Sequence, residues 1–557
     1  MGIALTAVLL GTAISSSASA ANRAPSARKY GGELTVAMDA TISGFCFANA
    51  LSGGPLGATR TVYESLVERD NKGNFVPYLA QSFTMSADAK YWTIALRAGI
   101  KYSNGEEFNA ANVKQNIDIG RGAITSYPST GIGVNANILA VDVIDNLTVK
   151  VTLDRPDTGF LGLMYRAGRY VMRAPAQIVT GNTACATKGI GTGPFMISSY
   201  SADELVAVKN PNYWRKDASG GSLPYLDKIT FINVKEASQR AAAVRKGSVD
   251  AAFFTTGDAT FIKDLQGRKK DVKEFKGPIT GWGQWMPNVG KANSPFKFQN
   301  CRMAAAFAVD WKNYNTVRLK GMGMYNGSIV GKTNPMYTLD GAPSYNVVKA
   351  KEFVAKCNTD LGAAGPFKLT LYADTSTQSQ NNVKFVAKYL TDAGILLNNT
   401  LVAESAILIA GIYRGGGNLY DFAEGTPAEG DAVGYVIPFF ISKAFNSTST
   451  NPIKDTAYGK GYNTVIALGA HGDEQVDRLI YAAQADTNPA TAKVKWAAAS
   501  AYLMSMGYTI PTVHAGSFVF TNNKSKLVGV GTLKNPDGST PAVTETKGFE
   551  WTGVSRG

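Results

Sequence analysis

The chain has 557 residues, 45% hydrophobic and 18% charged, with a formal net charge of +14. That length holds several domains at about 100–200 residues each, and the balance excludes a disordered chain or a repeat array. The basic residues are spread out, with only short clusters such as Arg268-Lys269-Lys270. The charge therefore reads as solvated surface, and no basic-aromatic arrangement suited to nucleic acid is present.

Residues 3–14 form an apolar run without a charge, and Ala18-Ser19-Ala20 gives a small-residue cleavage pattern. The run is shorter than the roughly 20 apolar residues that span a bilayer. Residues 1–21 are expected to be a cleavable signal peptide, although no Lys or Arg precedes the apolar core. A periplasmic or extracytoplasmic location follows, in an oxidising compartment. Cys46, Cys185, Cys301 and Cys357 then allow three full pairings, and the sequence does not choose among them. None is spaced as a metal pair, and Cys46 lacks the context of a lipid-anchored cysteine. No cofactor and no metal are expected.

Residues 32–38 read as a strand with Leu34, Val36 and Met38 on one face. Trp92, Ile94 and Leu96 alternate in the same way, as do Leu147, Val149, Val151 and Leu153. Residues 229–234 read as a strand, 237–246 as a helix stopped by Gly247, and 249–254 as a second strand. Such a unit is expected to cross over into a parallel pair. A second unit follows: a strand at Leu369 and Leu371, a helical stripe of Val383, Val386, Ala387 and Leu390 ended by Gly394, and strands near Leu396 and 419–422. Val476, Leu479, Ile480 and Ala483 mark a later helix, and Pro489 opens another that Gly507 closes. Two such regions imply two α/β lobes, with a binding site in the cleft between them.

Residues 80–113 go beyond generic architecture. They contain Ala80-Gln81-Ser82-Phe83, Asp88, Trp92-Thr93-Ile94-Ala95-Leu96-Arg97-Ala98-Gly99-Ile100-Lys101-Tyr102-Ser103-Asn104-Gly105, Phe108, Ala110, Asn112 and Val113. Asn104-Gly105 supplies a turn needing positive φ, and Asn109 caps the helix that follows, so the segment's role is structural. It resembles the signature of the bacterial extracellular solute-binding proteins of family 5, the oligopeptide-, dipeptide- and nickel-binding group. Gly191-Thr192-Gly193-Pro194-Phe195, Asn210-Pro211-Asn212-Tyr213-Trp214, Gly247-Ser248-Val249-Asp250-Ala251, Asn288, Arg302 and Ile510-Pro511 keep the family's order.

The resemblance implies a two-lobed periplasmic-binding-protein type II (cluster C) α/β fold with an extra subdomain inserted in the first lobe. The first lobe would be discontinuous, from 30–62, 189–283 and 508–557. The insert would be 63–188 and the second lobe 284–507. The implied function is the solute-binding component of an ABC transporter, capturing a peptide or similar small polar solute by hinge closure. Its partners would be that ligand and the permease subunits with their ATPase subunits, and the protein is expected to be a monomer.

Candidate cleft residues are fewer. Phe45 and Cys46 lie in the loop after the first strand, where Phe45 either touches ligand or packs in the core. Trp282 and Trp285 lie in the first connecting strand, offering a stacking surface or hinge packing. Tyr325 and Asn326 follow the helix near Arg318. In peptide-binding relatives an acid of the second lobe meets the peptide's amino group. Asp431, then Glu429, are the candidates, while Asp421 resembles a structural acid at a strand end.

Other function classes are weaker. His471 and His514 are the two histidines, neither lies in H-E-x-x-H, and no G-x-S-x-G elbow occurs. The stretch Asn326-Gly327-Ser328-Ile329-Val330-Gly331-Lys332-Thr333 nearly matches a phosphate-binding loop, but Asn stands where the pattern needs Gly. It reads as a polar loop. No enzyme is expected; a chemosensory receptor of the same fold, or a secreted hydrolase, are the alternatives.

Overall fold

The computed structural model describes residues 28–40, 42, 44–45, 56–121, 138–165, 168–179, 187–279, 283–291, 293–362, 367–403, 419–424, 440, 473–543 and 548–557. The expected signal peptide, Cys46 and Cys185 lie outside the described residues. No helix among the described residues is long and apolar enough to cross a membrane.

The first strand, β1 (Glu33–Met38), buries Leu34, Val36, Ala37 and Met38, so it is apolar on both faces. A strand of that kind belongs at the centre of a sheet covered on two sides. The chain then leaves it. A short hairpin, β2 (Val67–Arg69) with β3 (Phe75–Pro77), precedes four antiparallel strands: β4 (Ala80–Met85), β5 (Tyr91–Leu96), β6 (Ile138–Asp145) and β7 (Thr148–Leu153). Their order is β4-β5-β7-β6. Trp92, Ile94 and Leu96 share a buried face with Val149, Val151 and Leu153, because a period of two puts alternate side chains on one side.

Between β5 and β6 the turn falls where the sequence puts it. Gly105 has φ +90°, and Asn109 caps the helix Ala110–Gly120 by accepting from the Asn112 N–H. The Asn112 side chain is buried and fully used: its Nδ2 donates to the Arg173 carbonyl at 3.0 Å, and its Oδ1 accepts from the Tyr102 hydroxyl. That position serves packing.

Gly191 and Gly193 bring the chain back. A Cβ on Gly191 would stand 2.1 Å from the Val62 carbonyl oxygen, and one on Gly193 2.6 Å from that of Thr61. The two backbones are hydrogen-bonded here, Gly193 N–H to Val62 O at 2.9 Å and Phe195 N–H to Thr61 O at 3.0 Å. Only glycine permits that approach. Gly191→Ala is expected to lower unfolding stability by about 2 kcal/mol, from forced displacement of two backbones, read as a fall in urea midpoint at unchanged slope.

The returning chain builds a seven-stranded sheet around β1. It adds β8 (Phe195–Tyr200), β9 (Glu204–Lys209), β10 (Lys228–Asn233), β11 (Ala251–Thr255), β12 (Val272–Lys276) and, much later, the strand Ser517–Asn522. β10 and β11 run parallel to β1 on its two sides, and the helix Ala237–Lys246 joins them, stopped by Gly247 at φ +84°. The expected strand–helix–strand unit is present with one difference. Its strands pair with β1 and not with each other, since β1 fills the slot between them.

A second sheet comprises β13 (Gln284–Pro287), β14 (Lys368–Ala373), β15 (Leu396–Val402), β16 (Phe422–Glu424) and β17 (Ile510–Pro511), in the order β15-β14-β16-β13-β17. β14 and β15 are a parallel pair joined by the helix Thr377–Asp392, with Gly394 at φ +88° in the turn. β17 pairs with β13, Pro511 with Gln284 and Ile510 with Trp285. The strand Ser517–Asn522, β18, lies in the first sheet between β12 and β11.

Of the three cysteine pairings, the structure shows a Cys301–Cys357 bond. It joins the helix Gln299–Ala308 to the helix Val347–Leu361, with both residues fully buried. It closes a loop of sequence separation 56. Cys301→Ser is expected to cost about 2–3 kcal/mol, from the freer unfolded chain and a buried hydroxyl. Calorimetry would register this as a Tm lower than that of wild type.

Candidate functional site: an acid-rich base between two sheets

Parallel strands direct their carboxyl ends to one edge of a sheet, and ligands of open α/β folds bind beyond that edge. In the first sheet Asp39 directly follows β1, and β11 runs into the turn Thr256–Asp258. In the second, Asp374 directly follows β14, just before the helix Thr377–Asp392. These two edges meet. The turn Thr256–Asp258 packs against that helix, and a Cβ on Gly257 would lie 3.7 Å from Gln378 Cγ.

Arg240 organises the first-sheet side. Its guanidinium donates to the Asp258 carboxylate at 2.7 Å, and to the Phe253, Val234 and Lys235 carbonyls at 2.9, 2.8 and 2.7 Å. The Asp258 carboxylate also accepts from the Thr255 N–H at 3.1 Å. Burial pushes Asp258 up from the usual carboxylate range, against the lowering pull of Arg240.

Asp39 is pushed up to about 6, first by burial, then by the negative charges of Asp258 and of Asp374 from the opposite sheet; Arg240 and a backbone hydrogen bond pull the other way. Asp258 binds the Arg240 guanidinium directly, while Asp39 feels that charge and, across the lobes, the charge of Asp374. The site carries an excess of negative charge.

Two strands cross between the lobes, and they are tied to each other. Thr509 Oγ1 donates to Gln284 Oε1 at 2.6 Å, and the Thr512 N–H to the Gly283 carbonyl at 2.9 Å. A Cβ on Gly283 would stand 2.5 Å from the Val513 carbonyl oxygen. Further along, Gly516 exchanges hydrogen bonds with Thr256, its N–H to Thr256 Oγ1 at 2.7 Å and the Thr256 N–H to its carbonyl at 3.1 Å.

His514 lies fully buried on the same strand. Its N–H donates to the Met324 carbonyl at 2.8 Å. Its Nε2 is 2.9 Å from the Ser328 carbonyl oxygen and 3.0 Å from Asn326 Oδ1. Both partners are acceptors, so Nε2 carries a proton. This histidine is a strut for the 324–330 loop.

The sequence candidates fall in different places. Of the two positions open to Phe45, ligand surface or core, the structure puts it in the core. The ring is fully buried, 5.0 Å from that of Tyr200, and its carbonyl accepts from Gln177 Nε2 at 3.2 Å. Trp285 is likewise hinge packing rather than an open stacking surface: it is 1% exposed and lies 4.7 Å from Phe422 and 6.0 Å from Trp311.

Tyr325 is half-buried, its hydroxyl pushed up by burial and by Asp310. Asn326 uses its amide within its own loop, Nδ2 donating to the Val330 carbonyl at 2.9 Å and Oδ1 accepting from the Ser328 N–H at 2.9 Å. Cys46, Trp282, Glu429 and Asp431 lie outside the described residues.

Asp421 is a structural acid. It pairs with Lys291 at 2.9 Å and accepts from the Thr370 N–H at 2.8 Å. Asp39, Asp258, Asp374 and Arg240 were not singled out by sequence motif. The usable signal is position alone, since each acid stands within three residues of the carboxyl end of a parallel strand.

The family model described as "Bacterial extracellular solute-binding proteins, family 5 Middle" matches residues 74–446, more than half of the chain. The chain belongs to this family. A curated relative is the glutathione-binding protein GsiB of Escherichia coli O6:K15:H31, 27% identical over 341 residues, which are 60% of this chain and 63% of the relative.

Among solved structures, the Agrobacterium periplasmic binding protein AgaA in complex with agropinic acid aligns with a TM-score of 0.76 at 19% identity, over 94% of this chain and 99% of that one. The Helicobacter pylori protein DppA in complex with the peptide STSA aligns with a TM-score of 0.75 at 20% identity, over 95% and 98%. The family 5 fold, a type II periplasmic-binding-protein arrangement of mixed sheets and helices, is therefore the fold of this chain.

Proposed function

We propose that this protein is the extracytoplasmic solute-binding component of an ABC transporter. It captures a short peptide or similar polar solute between its lobes and presents it to the permease as a closed, non-catalytic monomer. The observation that carries this reading is the meeting of two parallel-strand edges, Asp39 and the Thr256–Asp258 turn on one side and Asp374 on the other, across a pair of crossing strands. A ligand seated there touches both lobes only when they are together. That difference in contacts shifts the population toward closure.

Excess negative charge at the base favours a ligand carrying a cationic group, such as the free ammonium of a peptide. Glutathione is the first compound to test, since a relative binds it and it carries such a group. The apolar leader expected at residues 1–21 supports export.

The test has two arms. Solute released from the purified protein by denaturation is identified by mass spectrometry. Thermal unfolding is then followed with glutathione and a panel of di- to tetrapeptides. A ligand present at 100 times its Kd stabilises by about 2.7 kcal/mol, expected as a Tm rise of several degrees. No shift with any member, and no co-purified solute, would sink the peptide version.

A further inference from the structure

Beyond the cleft, the inserted subdomain touches the second lobe at a second place. The loop leading from β7 to the helix Phe160–Tyr165 meets the end of the helix Glu474–Gln484. The last carbonyls of a helix lack partners within it. Here one of them, that of Gln484, accepts from both the backbone N–H and the Oγ1 of Thr158, each at 3.0 Å.

The Arg155 guanidinium lies 4.3 Å above the Tyr481 ring, one turn back along the same helix. A positive charge over an aromatic face at a helix C-terminus is favoured by the ring and by the helix dipole, moderated here by Asp154, which pairs with Arg155 at 3.1 Å. The loop is held rigidly by its own subdomain. Asp157 is fully buried, its N–H donates to the Ala89 carbonyl at 3.0 Å, and its carbonyl accepts from Trp92 Nε1 at 3.2 Å.

The two halves of this contact belong to different bodies. The insert is bound to the first lobe by Arg215 donating to the Tyr78 hydroxyl at 2.9 Å, and by Asn212 donating to the Tyr102 carbonyl at 3.4 Å. The helix Glu474–Gln484 is held to the second lobe where Asp473 accepts from the hydroxyls of Tyr502 and Tyr508, at 3.0 and 3.1 Å. Rotation of one lobe against the other about the crossing strands would part them, against the burial of apolar side chains that insert and second lobe share in one cluster.

We propose that Thr158 and Arg155 of the insert form a clasp that caps the second-lobe helix when the lobes close, and so set the open–closed balance, and with it ligand affinity, without touching ligand. They are positioning residues. The insert thereby acquires a role in capture. The proposal rests on the hinge-closure reading above.

The test uses the full chain. Thr158→Cys with Gln484→Cys is oxidised, the cross-link is mapped by peptide mass spectrometry, and X-ray scattering is compared with ligand-free wild type. The cross-link is expected to form and to give a smaller radius of gyration than ligand-free wild type, unchanged by glutathione. Failure to form it, or superimposable curves, overturns the clasp, because the contact then either does not exist or never opens. If the cross-linked form is more compact while glutathione leaves wild type unaltered, the glutathione assignment fails and the clasp stands.

In a second measurement, Arg155→Ala with Thr158→Val is expected to weaken binding of the compound released from the wild-type protein about fivefold or more, at unchanged far-ultraviolet circular dichroism. Unchanged affinity in that variant also overturns the proposal.

Discussion

Glu64→Ala should lower unfolding stability by about 4 kcal/mol. Glu64 is 2% exposed and stands where the chain leaves the first lobe for the insert. Its carboxylate accepts from Trp214 Nε1 at 2.8 Å, Thr192 Oγ1 at 2.9 Å and the Tyr213 hydroxyl at 3.0 Å. Burial raises its pKa, and the hydrogen bonds from Trp214, Thr192 and Tyr213, with the charge of Arg215, counter that rise.

Alanine would leave three buried donors without this acceptor and remove one of the two carboxylates that act on Arg215, the other being Glu550. Each stranded donor costs about 1–3 kcal/mol, with partial relief from hydroxyl rotation and from losing a buried charge. Glu64→Gln keeps one good acceptor oxygen and sets an amide N–H against a donor, so about half of the loss is expected. Urea titration followed by tryptophan fluorescence measures both. Losses below about 1 kcal/mol for Glu64→Ala would show that the network adds little beyond shape.

The same network shows what the sequence could and could not say. Gly191, Gly193, Tyr213 and Trp214 were visible as family-like motifs, and the strand and helix around Trp92 and Asn109 were readable from alternation and capping alone. Those signals are local. The reason Tyr213 and Trp214 matter is their convergence on Glu64, about 150 positions earlier in the chain, and no short-range pattern encodes that.

Pairing was hidden for the same reason. Cys301 and Cys357 meet because two helices pack side by side. β10 and β11 flank β1 because a doubly buried strand takes the centre. Aromatic candidates near the cleft, Phe45 and Trp285, turned inward since large rings gain most from full burial. The acids at the strand ends carried no motif at all.

Those acids yield the second large effect, a pH dependence centred on Asp39. An aspartate ordinarily near 3.8 that sits at about 6 in the folded protein is destabilising when charged, since the fold holds its proton more tightly than the unfolded chain does. The penalty is fully present above pH 6. It shrinks as pH falls through 6 and is gone below about 3.8. Its full size is about 3 kcal/mol.

Asp258, Asp374 and Arg240 are the charged groups that act on Asp39. Asp39→Asn leaves all three in place, with Arg240 still paired to Asp258. Wild type is therefore expected to gain about 1.4 kcal/mol on Asp39→Asn between pH 8 and pH 5. Parallel stability curves for the two proteins, from urea titrations across that range, would remove Asp39 as the source.

A ligand ammonium seated among these carboxyls does the proton's work. It would return Asp39 toward its ordinary range and expel the proton held there at pH 6. Binding of a cationic peptide is thus expected to release close to half a proton per site near pH 6 and, at pH 8, to take up part of a proton as the peptide's amino group, ordinarily at about 8, becomes fully charged. Calorimetry in buffers of different ionisation enthalpy reads that number directly. A release that is the same in Asp39→Asn as in wild type would place the ligand's charge elsewhere in the cleft.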